Sequence, residues 1–96
     1  MYRLLKIAKS DKPEKKLAAT FENTTTKRLK VVHFGAAGMS DYTIHRDPDR
    51  KQRYINRHKK NENWNDPTTA GALSRWVLWN KTTLKASIDD YKRKFF

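Results

Sequence analysis

Lys15-Lys16-Leu17-Ala18-Ala19-Thr20-Phe21-Glu22 decides the fold, because Leu17, Ala19 and Phe21 alternate with Ala18, Thr20 and Glu22 at the two-residue period of a strand with one apolar face. Upstream, Asp11-Lys12-Pro13 is a turn signal: proline fixes φ, and aspartate bonds to nearby backbone N–H groups. Residues 2 to 9 before that turn read as a partner strand. Downstream, the polar link Asn23-Thr24-Thr25-Thr26-Lys27 leads into Arg28-Leu29-Lys30-Val31-Val32-His33-Phe34, a third β-prone run. The expectation is a three-stranded antiparallel meander over residues 2 to 34.

Gly35-Ala36-Ala37-Gly38 breaks the third strand, and residues 39 to 46 carry no clear period, so 35 to 46 reads as an irregular crossing. From residue 47 the pattern becomes helical. Asp47-Pro48 is a helix start, since aspartate accepts from orphan N–H groups and proline at the first position lacks a donor that would be wasted there. A helix is predicted from about Pro48 to Lys60. Asp66-Pro67 repeats the device and predicts a second helix from Thr68 to Trp79, with Ala70, Leu73, Trp76 and Val77 on its apolar stripe. Thr82 or Thr83 caps a third, whose seam is Leu84, Ile88, Tyr91 and Phe95, with Asp89/Arg93 and Asp90/Lys94 as exposed acid-before-base pairs. The fold class is therefore α+β: an N-terminal three-stranded antiparallel sheet followed by three helices packed on one face, in a single domain over 1 to 96, with the second helix the most buried.

Size and charge restrict the function. A chain of 96 residues buries only about 60 to 65% of its unfolded surface, which leaves a thin core and no room for a two-domain cleft enzyme. No cysteine is present, so disulfides, thiolate zinc sites and thiol catalysis are excluded. The longest apolar run, Trp76-Val77-Leu78-Trp79, is far below the roughly 20 residues of a membrane span, and residues 1 to 9 lack the apolar stretch of a secretory signal. The sequons at Asn23 and Asn80 are accordingly read as chance matches.

The net charge of +12 is spread evenly: ten lysines and arginines against four acids in residues 1 to 46, twelve against six in the rest. With no detachable basic tail, the whole body is expected to meet a polyanion or acidic protein surfaces. The densest run is the first predicted helix, where Arg50, Lys51, Arg53, Arg57, Lys59 and Lys60 fall in eleven residues without an acid. At helical spacing Arg50, Arg53, Arg57 and Lys60 share a stripe, while Tyr54, Ile55 and His58 lie opposite and can dock the helix. Such a stripe can track phosphates; the plainer use is a solvated face or a face pairing with acidic chains. Trp64 is a candidate stacking ring or, more simply, a pin holding its loop to the core. Trp64, Phe95 and Phe96 are the candidate partner aromatics.

His33, His45 and His58 are the only candidates for general base work. His45 lies near Asp41, Asp47 and Asp49 in sequence, but those acids serve more simply as caps and turn formers, and no recognisable catalytic or metal site is completed. Gly35-Ala36-Ala37-Gly38 lacks the lysine and hydroxyl of a P-loop. Gly71 inside the second helix predicts close approach of another backbone. No enzyme, cofactor, metal or small-molecule substrate is expected.

The runs His33-Phe34-Gly35-Ala36-Ala37-Gly38-Met39-Ser40-Asp41-Tyr42-Thr43, Arg53-Tyr54-Ile55-Asn56-Arg57-His58, Asn63-Trp64, and Thr69-Ala70-Gly71-Ala72-Leu73-Ser74-Arg75-Trp76 through Asn80 resemble a family of small uncharacterised proteins of nucleocytoplasmic large DNA viruses, the giant viruses. The similarity covers most of the chain from about Leu17. It implies a viral origin and a virion protein, and it carries over no catalytic residue. The expected function is a non-enzymatic structural role, a minor capsid or internal component cementing larger virion proteins through basic and aromatic surfaces, located in the virion and in host cytoplasm during assembly. The alternative is a nucleic-acid-binding protein held on viral DNA by the helix at 48 to 60.

Overall fold

The computed structural model describes residues 1–96 and shows an α+β architecture. Strands β1 (Tyr2–Lys9), β2 (Lys15–Asn23) and β3 (Leu29–Ala36) form an antiparallel sheet in the order β1-β2-β3. Its register brings Leu17, Ala19 and Phe21 of β2 opposite Phe34, Val32 and Lys30 of β3, so the alternation read from the sequence becomes one core-facing side. A bulge between Leu4 and Lys6 shifts the β1 register. The opposite side of the sheet carries no helix, and Leu29 and Val31 stand exposed there.

Past the expected strand end, β3 continues through Gly35 at φ +79°. A Cβ at that position would lie 2.7 Å from Leu78 Cδ1, so glycine is required both by its backbone and by the close approach of the helical layer. The expected irregular crossing contains a helical turn, α1 (Tyr42–His45). Asp41 caps it by accepting from Thr43 N–H at 2.9 Å and from the Thr43 hydroxyl, while its other oxygen accepts from Lys16 Nζ at 2.5 Å. Asp41 is 2% exposed, so this ion pair ties β2 to the crossing from inside the fold.

Helix α2 (Pro48–His58) starts as expected: Asp47 accepts from the N–H groups of Asp49 and Arg50, with Pro48 in the first turn. It stops at His58, two residues short of the expected end. The second predicted helix differs more. Asp66 spends its Oδ1 on the N–H and hydroxyl of Thr68 and closes a turn, and Thr69 caps α3 (Ala70–Leu73) by accepting from Ala72 N–H. Those two bonds from Thr68 hold the Asp66 carboxyl below its ordinary pKa. The helix then widens into a π-helical turn, Ser74–Leu78, closed by Trp79 N–H donating to Ser74 C=O at 3.1 Å. Ala70 faces out, and the buried stripe is Ala72, Leu73, Val77 and Leu78. Gly71 is approached by the Glu62 carboxyl group rather than by backbone.

Helix α4 (Leu84–Phe95) is capped by Thr83. Leu84 is exposed and Ser87 is buried, so the seam runs through Ser87, Ile88, Tyr91 and Phe95. The surface pairs are Lys85–Asp89 and Asp90–Arg93 instead of the two read from the sequence, because Asp90 is drawn inward by Asn80 Nδ2 at 2.7 Å. The core is Ala19, Phe21 and Phe34 from the sheet against Leu73, Val77, Leu78 and Tyr91 from the helices. Tyr91 donates its hydroxyl to Pro67 C=O, and burial pushes its pKa up. No helix is long and apolar enough to cross a membrane.

Candidate binding surface on helix α2

What fixes α2 is a column of rings on its inner side. Tyr54 stacks on Trp79 with centroids 4.3 Å apart and planes 2° from parallel. His58 lies 4.4 Å from Tyr54, and His45 of α1 lies 5.2 Å from Trp79. Four rings thus run His45, Trp79, Tyr54, His58, joining α1, α2 and the end of the π-helical turn. Burial pushes the Tyr54 hydroxyl up to about 12. Of the pairings, only Tyr54 with His58 is visible in the sequence, as residues four apart on one helix; the contacts to Trp79 cross the fold and leave no local signal.

Lys51 also turns inward. Its Nζ donates to Asn80 C=O at 2.7 Å and sits 4.9 Å from the Tyr42 ring centroid, and burial, followed by the Arg75 and Lys81 charges, lowers its pKa. Arg50, Arg53 and Arg57 remain exposed along the outer side, with Arg50 and Arg57 at its edge, four and three residues from Tyr54, rather than opposite it, and none is paired with a carboxylate. Between them Gln52 Nε2 donates to Asn56 Oδ1 at 3.0 Å, so the two polar side chains of this face occupy each other. Lys60 is exposed but lies past the helix end, which shortens the expected stripe to three arginines. At 1.5 Å per residue the run from Arg50 to Arg57 is about 10.5 Å long.

The candidate aromatics sit differently. Trp64 is half-buried, donating its indole N–H to Glu62 at 2.7 Å with the Arg75 guanidinium 5.5 Å from its centroid. Its carbonyl accepts from the Trp76 indole at 2.9 Å, so the ring pins the 59–69 loop to the helical layer. Phe95 is half-buried edge-on to Trp76 at 6.2 Å. Phe96 packs 6.0 Å from Phe21, yet is 48% exposed and is the one of the three that presents a surface.

All three histidines are engaged in the fold. His33 Nδ1 shares a hydrogen bond with Ser10 Oγ at 2.7 Å, and His58 Nδ1 lies 3.7 Å from Glu62. No three His, Asp or Glu side chains come together in metal-binding geometry. His45 Nδ1 accepts from Asp47 N–H at 2.9 Å, while its Nε2 is buried without a partner. That acceptor role requires the neutral ring. Burial first, then the Arg50 charge, lowers the His45 pKa below 6.5, against Asp47 and Asp41, which raise it.

The unfolded chain therefore binds this proton before the folded one does. Stability is fully present above about pH 7, falls as pH drops through 6.5 and levels off below the folded-state value. The melting temperature is expected to fall between about pH 7.5 and 5.5, and less so in His45→Gln, whose amide oxygen can still accept from Asp47 N–H. Equal declines in the two proteins would remove His45 from this role.

A family model matches residues 5–58 of the chain, and its description is a family of unknown function, DUF5754. The matched stretch runs from β1 through the end of α2, so it contains the ion pair of Lys16 with Asp41 and all three arginines of the outer side. No curated protein and no solved structure matches the chain. With more than half of its residues covered, from the first strand to the arginine-bearing helix, the chain belongs to the DUF5754 family.

Proposed function

We propose that the protein is a non-enzymatic structural component of a large DNA virus particle, a minor capsid or internal protein that holds acidic surfaces of larger subunits through the outer side of α2. The observation that carries this reading is the row Arg50, Arg53 and Arg57: exposed, free of carboxylate partners, and borne by a helix whose inner side is fixed by Tyr54 on Trp79. Guanidinium groups suit carboxylates, which they bind with paired hydrogen bonds in a planar fork. The engagement of all three histidines in packing and hydrogen bonds supports a binding role over catalysis. The viral origin rests on the resemblance of the Gly35, Tyr54 and Gly71 segments to giant-virus proteins.

A second reading has its own support. The length of the arginine row, about 10.5 Å, covers about three base-pair steps of a duplex at 3.4 Å each, so the same residues suit a phosphate backbone. Gln52 and Asn56, which could reach base edges, bond to each other instead, and this favours contact without sequence readout.

The test compares Arg50→Gln/Arg53→Gln/Arg57→Gln with a charge-matched control, Lys6→Gln/Lys9→Gln/Lys12→Gln, against polyglutamate and against duplex DNA over a range of salt. In the structural reading the arginine variant loses polyglutamate affinity beyond the control, while both lose DNA affinity equally. If its salt slope on DNA instead falls by about 3 units and the control's does not, the genome-binding reading replaces it. Variants indistinguishable on both ligands would sink the two readings together.

A further inference from the structure

On the cleft side of α2, between that helix, the ends of β2 and β3, and α3, the fold leaves a cavity of about 470 Å³. Buried Phe34 and Leu78 line its depth, and exposed Ala36, Met39 and Ala70 its mouth. Tyr54 and Trp79 contribute to one wall. Tyr54 and Trp79 cover one face of each other by stacking, which leaves less ring surface to the wall.

The polar groups of this cavity are mostly donors. Of its two acids, Asp41 is paired with Lys16 and bonded to Thr43, while Glu62 accepts from the Trp64 indole, lies against Gly71 and has its other oxygen 3.7 Å from His58 Nδ1. Among the lining groups without a partner are the Lys15 ammonium, the Arg57 guanidinium and the hydroxyls of Ser40 and Ser74, all able to donate. Four donors, two of them cationic, outweigh the Glu62 carboxylate and favour an anion, and a tetrahedral phosphate, accepting from several sides, uses such a set more fully than a planar carboxylate does. A lone phosphate would leave most of 470 Å³ empty, whereas sites of this size hold ligands with an organic body. The mouth residues are apolar. Ser74 and Leu78 belong to the π-helical turn, a distortion that recurs at functional sites.

We propose that this cavity binds a phosphate-bearing ligand of nucleotide size, its phosphate held by Lys15 and Arg57 and its planar body against Met39, Ala36 and Ala70. The ligand is either a free mononucleotide or one nucleotide of a single strand. The site shares Arg57 with the outer row of α2, and Lys15, the two serines and the apolar mouth set it apart from that surface.

Adenosine monophosphate and oligothymidylate are the probes, with inorganic phosphate at matched ionic strength as the control. Ala70→Trp fills the mouth and Lys15→Gln removes a charge; both positions are exposed, and a wild-type melting temperature confirms that each variant folds. Adenosine monophosphate is expected to raise the wild-type melting temperature, with affinity about tenfold weaker in each variant and unchanged in Arg50→Gln/Arg53→Gln. Oligothymidylate binding more tightly than the mononucleotide, with the same losses, assigns the site to a single strand; equal or weaker binding assigns it to the free nucleotide. The proposal is overturned if neither probe binds or if Ala70→Trp binds as wild type does.

Discussion

Leu73→Asp is expected to leave the chain unfolded at room temperature. Leu73 is 0% exposed and belongs to the buried cluster that includes Phe21 and Phe34 of the sheet and Tyr91 of α4. A carboxylate there loses the leucine's packing and has no partner in its apolar surroundings, a combined cost of about 5 kcal/mol or more. Domains of this size hold only about 5 to 10 kcal/mol in total. Leu73→Met, which keeps the volume, is expected to cost less than about 1.5 kcal/mol and to retain a cooperative melt. Circular dichroism melts of both check the assignment, and a folded Leu73→Asp would place this helix the wrong way round.

Lys16→Met is expected to be the second most damaging change, at about 3 kcal/mol or a melting temperature lower by roughly 12 to 24 °C. The reason is the partner left behind. Asp41 is nearly inaccessible, with a side chain 3% exposed against 18% for Lys16, so removing the ammonium strands a buried carboxylate. Lys16→Met/Asp41→Asn should recover part of the loss, because asparagine can still accept from Thr43 N–H at the start of α1 while carrying no charge. A double-mutant cycle by thermal denaturation measures the coupling. Additive losses would mean that the two residues act separately and that the contact between β2 and the crossing matters little.

Several of these contacts explain what was legible in the sequence. The strand β2 could be read because its instruction is local: Leu17, Ala19 and Phe21 at every second position meet the core regardless of what else the chain does. The arginine row was legible for the same reason, since Arg50, Arg53 and Arg57 lie on one helix whose start, Asp47-Pro48, is itself local chemistry. The identical dipeptide Asp66-Pro67 misled because an aspartate oxygen serves a helix cap or a closed turn equally well, and Thr68 offers it both an N–H and a hydroxyl. Helix formation was thereby delayed to Thr69, and the buried stripe moved from Ala70 to Ala72.

Other features had no local signal at all. Trp79 stacks on Tyr54 across 25 positions, and Asp41 meets Lys16 across the same separation; both lie far beyond the three- and four-residue pairings of a helix and connect different elements. Lys51 reads as one more basic residue of α2 until Asn80 C=O takes its ammonium. Trp64 and Phe95 were legible as large rings, but only the positions of Arg75 and Trp76 decide that they face inward and leave Phe96 exposed.

The central claim, that the outer side of α2 is the surface that meets an acidic partner, is tested most directly by arginine-selective labelling with phenylglyoxal, mapped by mass spectrometry with and without bound polyglutamate. Arg50, Arg53 and Arg57 should be protected in the complex, while Arg3, Arg28 and Arg93, exposed elsewhere on the fold, keep their free-state rates. Protection spread evenly over all six, or confined to the latter three, would contradict the account.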